Sequence, residues 1–204
     1  MKITQILGEI YDANVFVVEK DGNVLIIDSG ASVDKIKDAT TGKNVLAILL
    51  THGHYDHSVH ANDYAEAFDC PIYADINITK TMLDSQAIYS ESGEIIEDFS
   101  NFKFLEGDTK LKLENFDIDS YYCPGHSICS QVYVIDGIMF PGDVLFERSI
   151  GRTDLKFGNK KEMYDSLCKL ENVAFEEIYS GHGEKTSYAE QQKNIRVYKR
   201  FLTR

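Results

Sequence analysis

The chain has 204 residues, of which 43 % are hydrophobic and 26 % charged, and this is the composition of a globular protein with enough residues to bury a sizeable core. The net charge of −12 disfavours nucleic acid as a partner, because an acidic surface repels phosphate backbones. No apolar run approaches the roughly 20 residues of a membrane-spanning helix. The first residues also lack the pattern of a signal peptide, so we expect a cytoplasmic protein without membrane association.

Residues 1–204 show no linker and no internal repeat, so we predict a single domain. Strands are predicted over residues 3–7, 14–19 and 24–27, followed by a helix over 32–40 and a strand over 45–50. Asp21-Gly22-Asn23 predicts a hairpin turn. Asp28 follows a buried strand, where its carboxylate suits the second ring nitrogen of a metal-bound histidine. It equally suits the cap of the following helix, and the sequence does not distinguish these roles.

A cluster of polar residues follows the apolar run 45–50. Thr51-His52-Gly53-His54-Tyr55-Asp56-His57 places three imidazoles and a carboxylate at the end of a predicted strand. His52 and His54 are two residues apart, so an extended backbone points both to the same side. Imidazole nitrogens and carboxylate oxygens are ligands for borderline divalent metals, and burying four such groups without partners would be costly. The sequence therefore predicts a metal site, in preference to a polar turn that happens to be rich in histidine.

The remainder of the chain continues the mixture of strands and helices. Strands are predicted over 71–74, 102–105, 111–113, 116–123, 131–135, 137–140 and 177–180. Helices are predicted over 57–68, between the strand 71–74 and residue 83, over 160–170 and over 187–202. Residues 84–100 are acidic and weakly periodic, so we expect a solvated loop with a helical turn, and the sequence does not tell whether it acts as a lid.

Strand ends with glycine-flanked turns present further candidate ligands: His126 in Pro124-Gly125-His126, Asp143 after Gly142, and His182 between two glycines. Because α/β folds gather a site where strands end, we expect all of them to converge. The proposed first metal site consists of His52, His54 and His126, the second of Asp56, His57 and His182, and Asp143 bridges the two.

This ligand set predicts hydrolytic chemistry. A metal lowers the pKa of bound water from 15.7 to about 7, and two ions about 3.5–4 Å apart can hold a bridging hydroxide and polarise a carbonyl. Two divalent ions carry four positive charges, and Asp56, Asp143 and the bridging hydroxide offset three of them. The remaining net positive charge of one suits an anionic intermediate, and both aspartates are candidate catalytic residues. The many imidazoles favour two zinc ions, with iron or manganese as alternatives, and the absence of cysteine ligands disfavours a purely structural zinc site.

His-x-His-x-Asp-His, followed by Pro-Gly-His, Gly-Asp and Gly-His-Gly, resembles the metallo-β-lactamase superfamily. The resemblance implies an α/β fold of four layers, an αβ/βα sandwich of two mixed sheets with helices on the outer faces. Gly142-Asp143-Val144-Leu145-Phe146 and Ser149-Ile150-Gly151-Arg152-Thr153-Asp154 resemble the short glyoxalase II-like subgroup, which lacks a C-terminal helical domain. That similarity implies hydrolysis of a small hydroxyacyl thioester, with S-D-lactoylglutathione as the type substrate.

Three segments depart from the subgroup's pattern, at Ser58-Val59-His60, at Glu184 and at residues 194–197, and they leave the thiol of the substrate open. Arg152 is a candidate for binding a substrate carboxylate, although a salt bridge to Asp154 is at least as compatible with the sequence. Lys185 and Tyr188 follow the last ligand, and they suit either the cleft or the surface.

Other activities remain compatible with the motifs. A persulfide dioxygenase would use one iron held by His52, His126 and Asp143, whereas the full second ligand set favours two metals. A lactonase, a β-lactamase or a phosphodiesterase is a further alternative, and a binding module without activity would be expected to have lost ligands. We expect a small-molecule substrate, and the oligomeric state is not predicted.

Overall fold

The structure, a computed structural model, describes residues 1–89 and 98–203. Its first sheet contains β1 (Lys2–Leu7), β2 (Asn14–Lys20), β3 (Asn23–Ile27), β4 (Asn44–Leu49), β5 (Ile72–Asp75) and β6 (Phe102–Leu105). Its second contains β7 (Thr109–Leu113), β8 (Phe116–Tyr122), β9 (Gln131–Ile135), β10 (Ile138–Gly142), β11 (Glu177–Ser180) and β12 (Thr186–Ser187). The helices are α1 (Val33–Thr40), α2 (Tyr55–Ser58), α3 (Ala61–Phe68), α4 (Ile78–Tyr89), α5 (Lys160–Leu170) and α6 (Tyr188–Leu202).

Both sheets are mixed. The first has the order β1-β2-β3-β4-β5-β6, with antiparallel pairs up to β3 and parallel pairs from β3 to β6. The second has the order β12-β11-β10-β9-β8-β7, in which β10 and β11 are parallel and the other neighbours antiparallel. Asp21-Gly22 and Asp136-Gly137 form the turns of the β2–β3 and β9–β10 hairpins. All four residues have positive φ, the conformation that matches the twist of paired strands.

Strand β2 is covered on both faces, which explains why its sequence is almost continuously apolar. Val15 and Val17 face the helices α1 and α3, while Phe16 and Val18 face the second sheet. The inter-sheet core continues through residues such as Leu49 and Phe140, and α5 and α6 cover the outer face of the second sheet. Each fully buried side chain of this kind contributes roughly 1.5–3 kcal/mol. The result is the expected αβ/βα sandwich of four layers.

Two predicted elements differ from the structure. The helix predicted over 57–68 is divided into α2 and α3, because the backbone of Ser29 bonds to the chain at the break. Ser29 N–H donates to the carbonyl of His57 (2.7 Å), and the carbonyl of Ser29 accepts from His60 N–H (3.2 Å). The prediction of a loop from residue 84 was wrong for residues 84–89, because α4 continues to Tyr89.

The rest of that loop, with the question of a lid, lies mostly outside the described residues, which resume at residue 98. None of the helices in the described ranges is long and apolar enough to cross a membrane.

Candidate metal centre

Seven predicted ligands from both sheets meet at one edge of the sandwich. His52 and His54 follow β4, Asp56 and His57 lie on α2, His126 follows β8, Asp143 follows β10 and His182 follows β11. The ends of the strands thus deliver the ligands, as the positions of their glycine-flanked turns predict.

The first group contains three imidazoles. His54 Nδ1 lies 3.0 Å from His52 Nε2 and 2.9 Å from His126 Nε2. Two nitrogens on one tetrahedral zinc ion, at bond lengths of 2.0–2.1 Å, would lie about 3.3 Å apart. The three nitrogens therefore face one point at nearly the spacing of ligands on a single ion.

The second group combines two imidazoles with a carboxylate. His182 Nε2 lies 3.2 Å from His57 Nε2 and 3.3 Å from Asp56 Oδ2. The remaining side of this triangle, from His57 Nε2 to Asp56 Oδ2, measures 3.6 Å. This arrangement also suits one divalent ion.

Asp143 lies between the two groups. Its Oδ1 is 3.4 Å from His57 Nε2, while its Oδ2 is 3.5 Å from His126 Nε2 and 3.6 Å from His182 Nε2. Asp143 Oδ1 is buried and has no hydrogen-bond partner among the described residues. A buried carboxylate oxygen without a donor is costly, and a cation shared by the two groups would satisfy it. The donor set therefore fits a pair of metal ions.

Side chains behind the centre orient two of the imidazoles. Asp28 Oδ2 accepts from His57 Nδ1 (2.9 Å), and the Thr51 hydroxyl donates to the Asp28 carboxylate (2.8 Å). Because the Thr51 hydroxyl is used as a donor there, its oxygen accepts from His52 Nδ1 (3.1 Å). Both rings are thus assigned the tautomer that leaves Nε2 free to bind metal. Asp28 has a φ of +62°, which is uncommon for a residue other than glycine.

Backbone carbonyls orient two further rings. His126 Nδ1 donates to the carbonyl of Arg152 (2.9 Å), and His182 Nδ1 donates to the carbonyl of Tyr11 (3.1 Å). Sequence reasoning identified neither carbonyl, since nothing in a residue's type marks its backbone as an acceptor. Thr51 was also missed as an orienting group, although it belongs to the motif itself.

Burial and neighbouring charges shift the pKa values of the imidazoles in the two groups in opposite directions. Burial, reinforced by the neighbouring His126, lowers the pKa of His54 to about 4, and burial lowers that of His52 well below its ordinary value. Burial acts in the same direction on His57, but three carboxylates outweigh it and raise the pKa of His57 to about 10. His52 and His54 are therefore ready ligands at neutral pH, whereas His57 must first lose a proton.

Two glycines allow the strand ends to come this close. A Cβ on Gly142, which has a φ of +51°, would lie 2.4 Å from Thr51 Oγ1. A Cβ on Gly181 would lie 2.2 Å from Asp143 Oδ1 and 2.8 Å from His57 Cε1. Any larger residue at either position would push apart the ligands of the two sheets.

A cavity of about 210 Å³ opens beside the centre. His54, Tyr55, Asp56, His126, Asp143 and Arg152 line it, together with residues that sequence reasoning missed, namely Tyr11, Thr81, Asp84, Ser85, Leu155 and Lys156. The missed residues come from α4 and from loops whose proximity depends on the tertiary fold.

The three candidate substrate-binding residues differ in position. Arg152 lines the cavity, and its Nε and Nη2 each donate to the Asp154 carboxylate at 2.8 Å. The structure does not bring the other two to the cavity. Lys185 Nζ lies 2.9 Å from Glu177 Oε1, and the ring of Tyr188 packs against Phe175 with centroids 4.9 Å apart.

Comparison with known proteins identifies the family. The family model described as metallo-beta-lactamase superfamily matches residues 9–182. A probable metallo-hydrolase, YqgX of Bacillus subtilis (strain 168), is 32 % identical over 188 residues, which cover 88 % of this chain and 89 % of the relative.

Two solved structures share the fold of this chain and are 26 % and 27 % identical to it in sequence. The BLEG-1 B3 metallo-beta-lactamase is 26 % identical, with a TM-score of 0.86 and complete coverage of both chains. TTHA1623 in a di-iron-bound form is 27 % identical, with a TM-score of 0.81 over 94 % of this chain and 98 % of the other. The chain described above belongs to the metallo-β-lactamase superfamily.

Proposed function

We propose that the protein is a hydrolase of small thioesters that uses two divalent metal ions. The observation that carries this proposal is the position of Asp143, whose two oxygens face the ligand atoms of both groups. A carboxylate in that place would hold two cations next to each other. Asp143 also lines the cavity, together with His54 of the first group and Asp56 of the second, so a bound ligand would lie beside both groups.

Two bound ions would lower the pKa of a water molecule to about 7 and polarise a carbonyl oxygen, which supplies a nucleophile and an electrophilic carbon at neutral pH. The chain's own residues orient the candidate metal ligands. Asp28 and the carbonyls of Arg152 and Tyr11 fix the directions of three imidazoles, and Asp56 and Asp143 offset part of the positive charge.

The cavity supports a small acyl group. Its volume of about 210 Å³ lies below the roughly 300–1,000 Å³ of pockets that enclose drug-sized ligands. Tyr55 and Leu155 provide apolar surface beside the hydroxyls of Thr81 and Ser85. A thiol with a pKa of about 8.5 leaves readily as a thiolate, so this reaction does not require a strong general acid. A hydroxyacyl thioester of the glyoxalase II type is the substrate class that we propose.

A β-lactam is the second candidate substrate. The similarity to BLEG-1 extends over both complete chains, and that protein is named a B3 metallo-beta-lactamase. A β-lactam differs from a thioester in its leaving group, because the ring nitrogen must gain a proton before the product is released. The two candidates can therefore be separated by direct assay.

We propose zinc as the metal because imidazole dominates the ligand set, and iron is the alternative that the di-iron form of TTHA1623 supports. A mononuclear iron dioxygenase would use His52, His126 and Asp143 and would leave Asp56, His57 and His182 without a metal.

The test combines metal analysis of freshly purified protein with a substrate panel of S-D-lactoylglutathione, simple acyl thioesters, a chromogenic cephalosporin and glutathione persulfide. We expect two metal ions per chain, thioester hydrolysis, and recovery of activity when zinc is returned after chelation. One iron with oxygen uptake on the persulfide would replace the proposal with a dioxygenase. Cleavage of the cephalosporin without thioester hydrolysis would replace it with a β-lactamase.

A further inference from the structure

Lys156 and Asp84 face each other at the cavity. Asp84 lies on α4 and Lys156 on the loop before α5, 72 residues further along the chain, and both line the cavity. Their side chains form an ion pair, with Lys156 63 % exposed and Asp84 20 % exposed. The pair therefore lies where the cavity meets solvent.

The loop that carries Lys156 is fixed to the metal centre. Its residue Arg152 accepts the hydrogen bond from His126 Nδ1 through its carbonyl, and Asn159 N–H at its end donates to the carbonyl of Gly125 (2.8 Å). Gly151 packs so closely that a Cβ there would lie 1.9 Å from the carbonyl oxygen of Asp143. The position of Lys156 is thus coupled to that of the metal ligands.

The backbone beside Lys156 is strained. Phe157 has a φ of +65°, a conformation that is unfavourable for a residue with a bulky side chain, and Gly158 N–H donates to the carbonyl of Leu155 (2.8 Å) to close the turn. Strained residues of this kind concentrate at ligand-binding sites. A solvent-exposed ion pair contributes little to stability, so the contact with Asp84 does not explain why the strain is retained.

The one arginine and the one lysine among the described lining residues differ in how they are held. Arg152 uses two guanidinium nitrogens in a planar contact with Asp154. Lys156 carries a point charge on a flexible stem, and its ammonium can turn from one carboxylate to another without loss of geometry. Lys156 is therefore the cation that can exchange its partner for a ligand.

We propose that Lys156 binds a carboxylate carried by the ligand in the cavity, and that Asp84 is a resting counter-ion which the ligand displaces. Where the ligand is the substrate, this inference rests on the proposed function and narrows the substrate class to thioesters with a carboxylate on the arm that points to the mouth of the cavity. Asp84 then competes with the substrate for Lys156. Removal of the two members of the ion pair must have opposite effects on affinity.

The experiment measures binding by calorimetry to zinc-loaded protein at pH 7. The probes are two thioethers that cannot be hydrolysed, 3-(acetonylthio)propanoate and its carboxamide, and their homologues with one to four methylene groups before the carboxyl carbon. The variants are K156Q, K156R and D84N. K110Q and D119N serve as matched controls, because Lys110 and Asp119 form an exposed ion pair (2.9 Å) whose residues do not line the cavity.

We expect the wild-type protein to bind the best carboxylate roughly tenfold more tightly than its carboxamide, the effect of one charge-assisted hydrogen bond close to solvent. K156Q should reduce this ratio to about one, K156R should retain most of it, and D84N should increase it. The control variants should leave it unchanged.

The inference is overturned if K156Q keeps the wild-type ratio, or if K156Q and D84N change the affinity for both probes in the same direction, as loss of a purely structural ion pair would. Thioester hydrolysis is measured separately on the same proteins. If no thioester is hydrolysed but the binding ratios follow the expected pattern, the proposed reaction fails and the carboxylate site stands. If thioesters are hydrolysed but the binding ratios do not follow the expected pattern, the proposed reaction stands and the carboxylate site fails.

Discussion

The two halves of the candidate metal centre differ in the charges that surround their ligand atoms. In the first, which contains His52, His54 and His126, burial lowers the pKa of His54 to about 4 and that of His52 well below its ordinary value. In the second, which contains Asp56, His57 and His182, the carboxylates of Asp56, Asp143 and Asp28 surround His57. There the pKa of His57 is raised to about 10 and that of His182 is raised as well, in spite of burial.

The source of the difference is the number of acids around His57. Its ring contacts Asp28 through Nδ1 (2.9 Å), and its Nε2 lies within 3.6 Å of both Asp56 and Asp143. In the metal-free protein a proton on His57 is attracted by these charges, and a metal ion takes over the same role when it binds. Protons and metal thus compete for the second half far more than for the first.

Asp143 should be the most sensitive position, because it serves both halves. We expect Asp143→Ala to lower the metal content below two ions per chain and to reduce thioester hydrolysis by more than about 100-fold, the upper range for loss of a partner that only supports a ligand. Metal analysis and kcat/KM check this. A variant with full metal content and wild-type activity would refute the bridging assignment.

Asp28→Asn should affect the second half more than the first, because Asp28 contacts His57 directly and reaches His52 only through Thr51. Loss of a carboxylate behind a metal-bound imidazole typically costs about 10–100-fold in metal affinity or activity, and we expect that loss for the ion at Asp56, His57 and His182. Asp63→Asn is the matched control, because Asp63 also contacts a histidine, His60 (3.0 Å), but on the surface of the protein. Zinc titration with a chromogenic competitor should show one weakened site in the first variant and none in the second.

Proton release should also distinguish the halves. Because His57 is protonated below a pKa of about 10 in the metal-free protein, metal binding to its group must displace at least one proton, and the apparent affinity should rise at least tenfold per pH unit between pH 6 and 8. His52 and His54 are neutral over this range, so the first group should show a shallower dependence.

A pH-stat titration with zinc at pH 6.5 measures this directly. The first equivalent should release fewer protons than the second, because we expect the group that contains His52 and His54, whose pKa values are lowered, to fill first. Equal release by both equivalents would show that the two halves do not differ in protonation.

The fold could be predicted through the family resemblance that the motifs carry. The convergence of the candidate ligands could be expected because His52, His54, His126, Asp143 and His182 each follow a strand end in a short, glycine-flanked turn. A turn of this kind holds its side chain close to the strand, so the position of the strand determines that of the ligand. The same reasoning could not choose between the two roles of Asp28. That choice depends on the distance from Asp28 to His57 across 29 positions of the chain.

The wall of the cavity could not be predicted, for a related reason. Asp84 and Ser85 lie in a stretch that was expected to be a loop, and Lys156 follows a motif without belonging to it. Their proximity results from the packing of α4 against α2 and from the positive φ of Phe157. Neither is encoded by a periodic pattern. The break between α2 and α3 likewise depends on hydrogen bonds from Ser29, which is far away in sequence.

Substitution of Lys185 should have the smallest effect on activity. It tests whether a residue that is close in sequence to a ligand of the second half, His182, also takes part in substrate binding. It lies three residues after His182, yet its ammonium contacts Glu177 and lies over the ring of Tyr179, 5.6 Å from the centroid. We therefore expect Lys185→Ala to change the KM for a thioester by less than about twofold, as for surface substitutions in general. The unfolding transition should also be nearly unchanged, because solvent screens the ion pair. A rise in KM of tenfold or more would place Lys185 in the substrate path and would extend the second half beyond its three ligands.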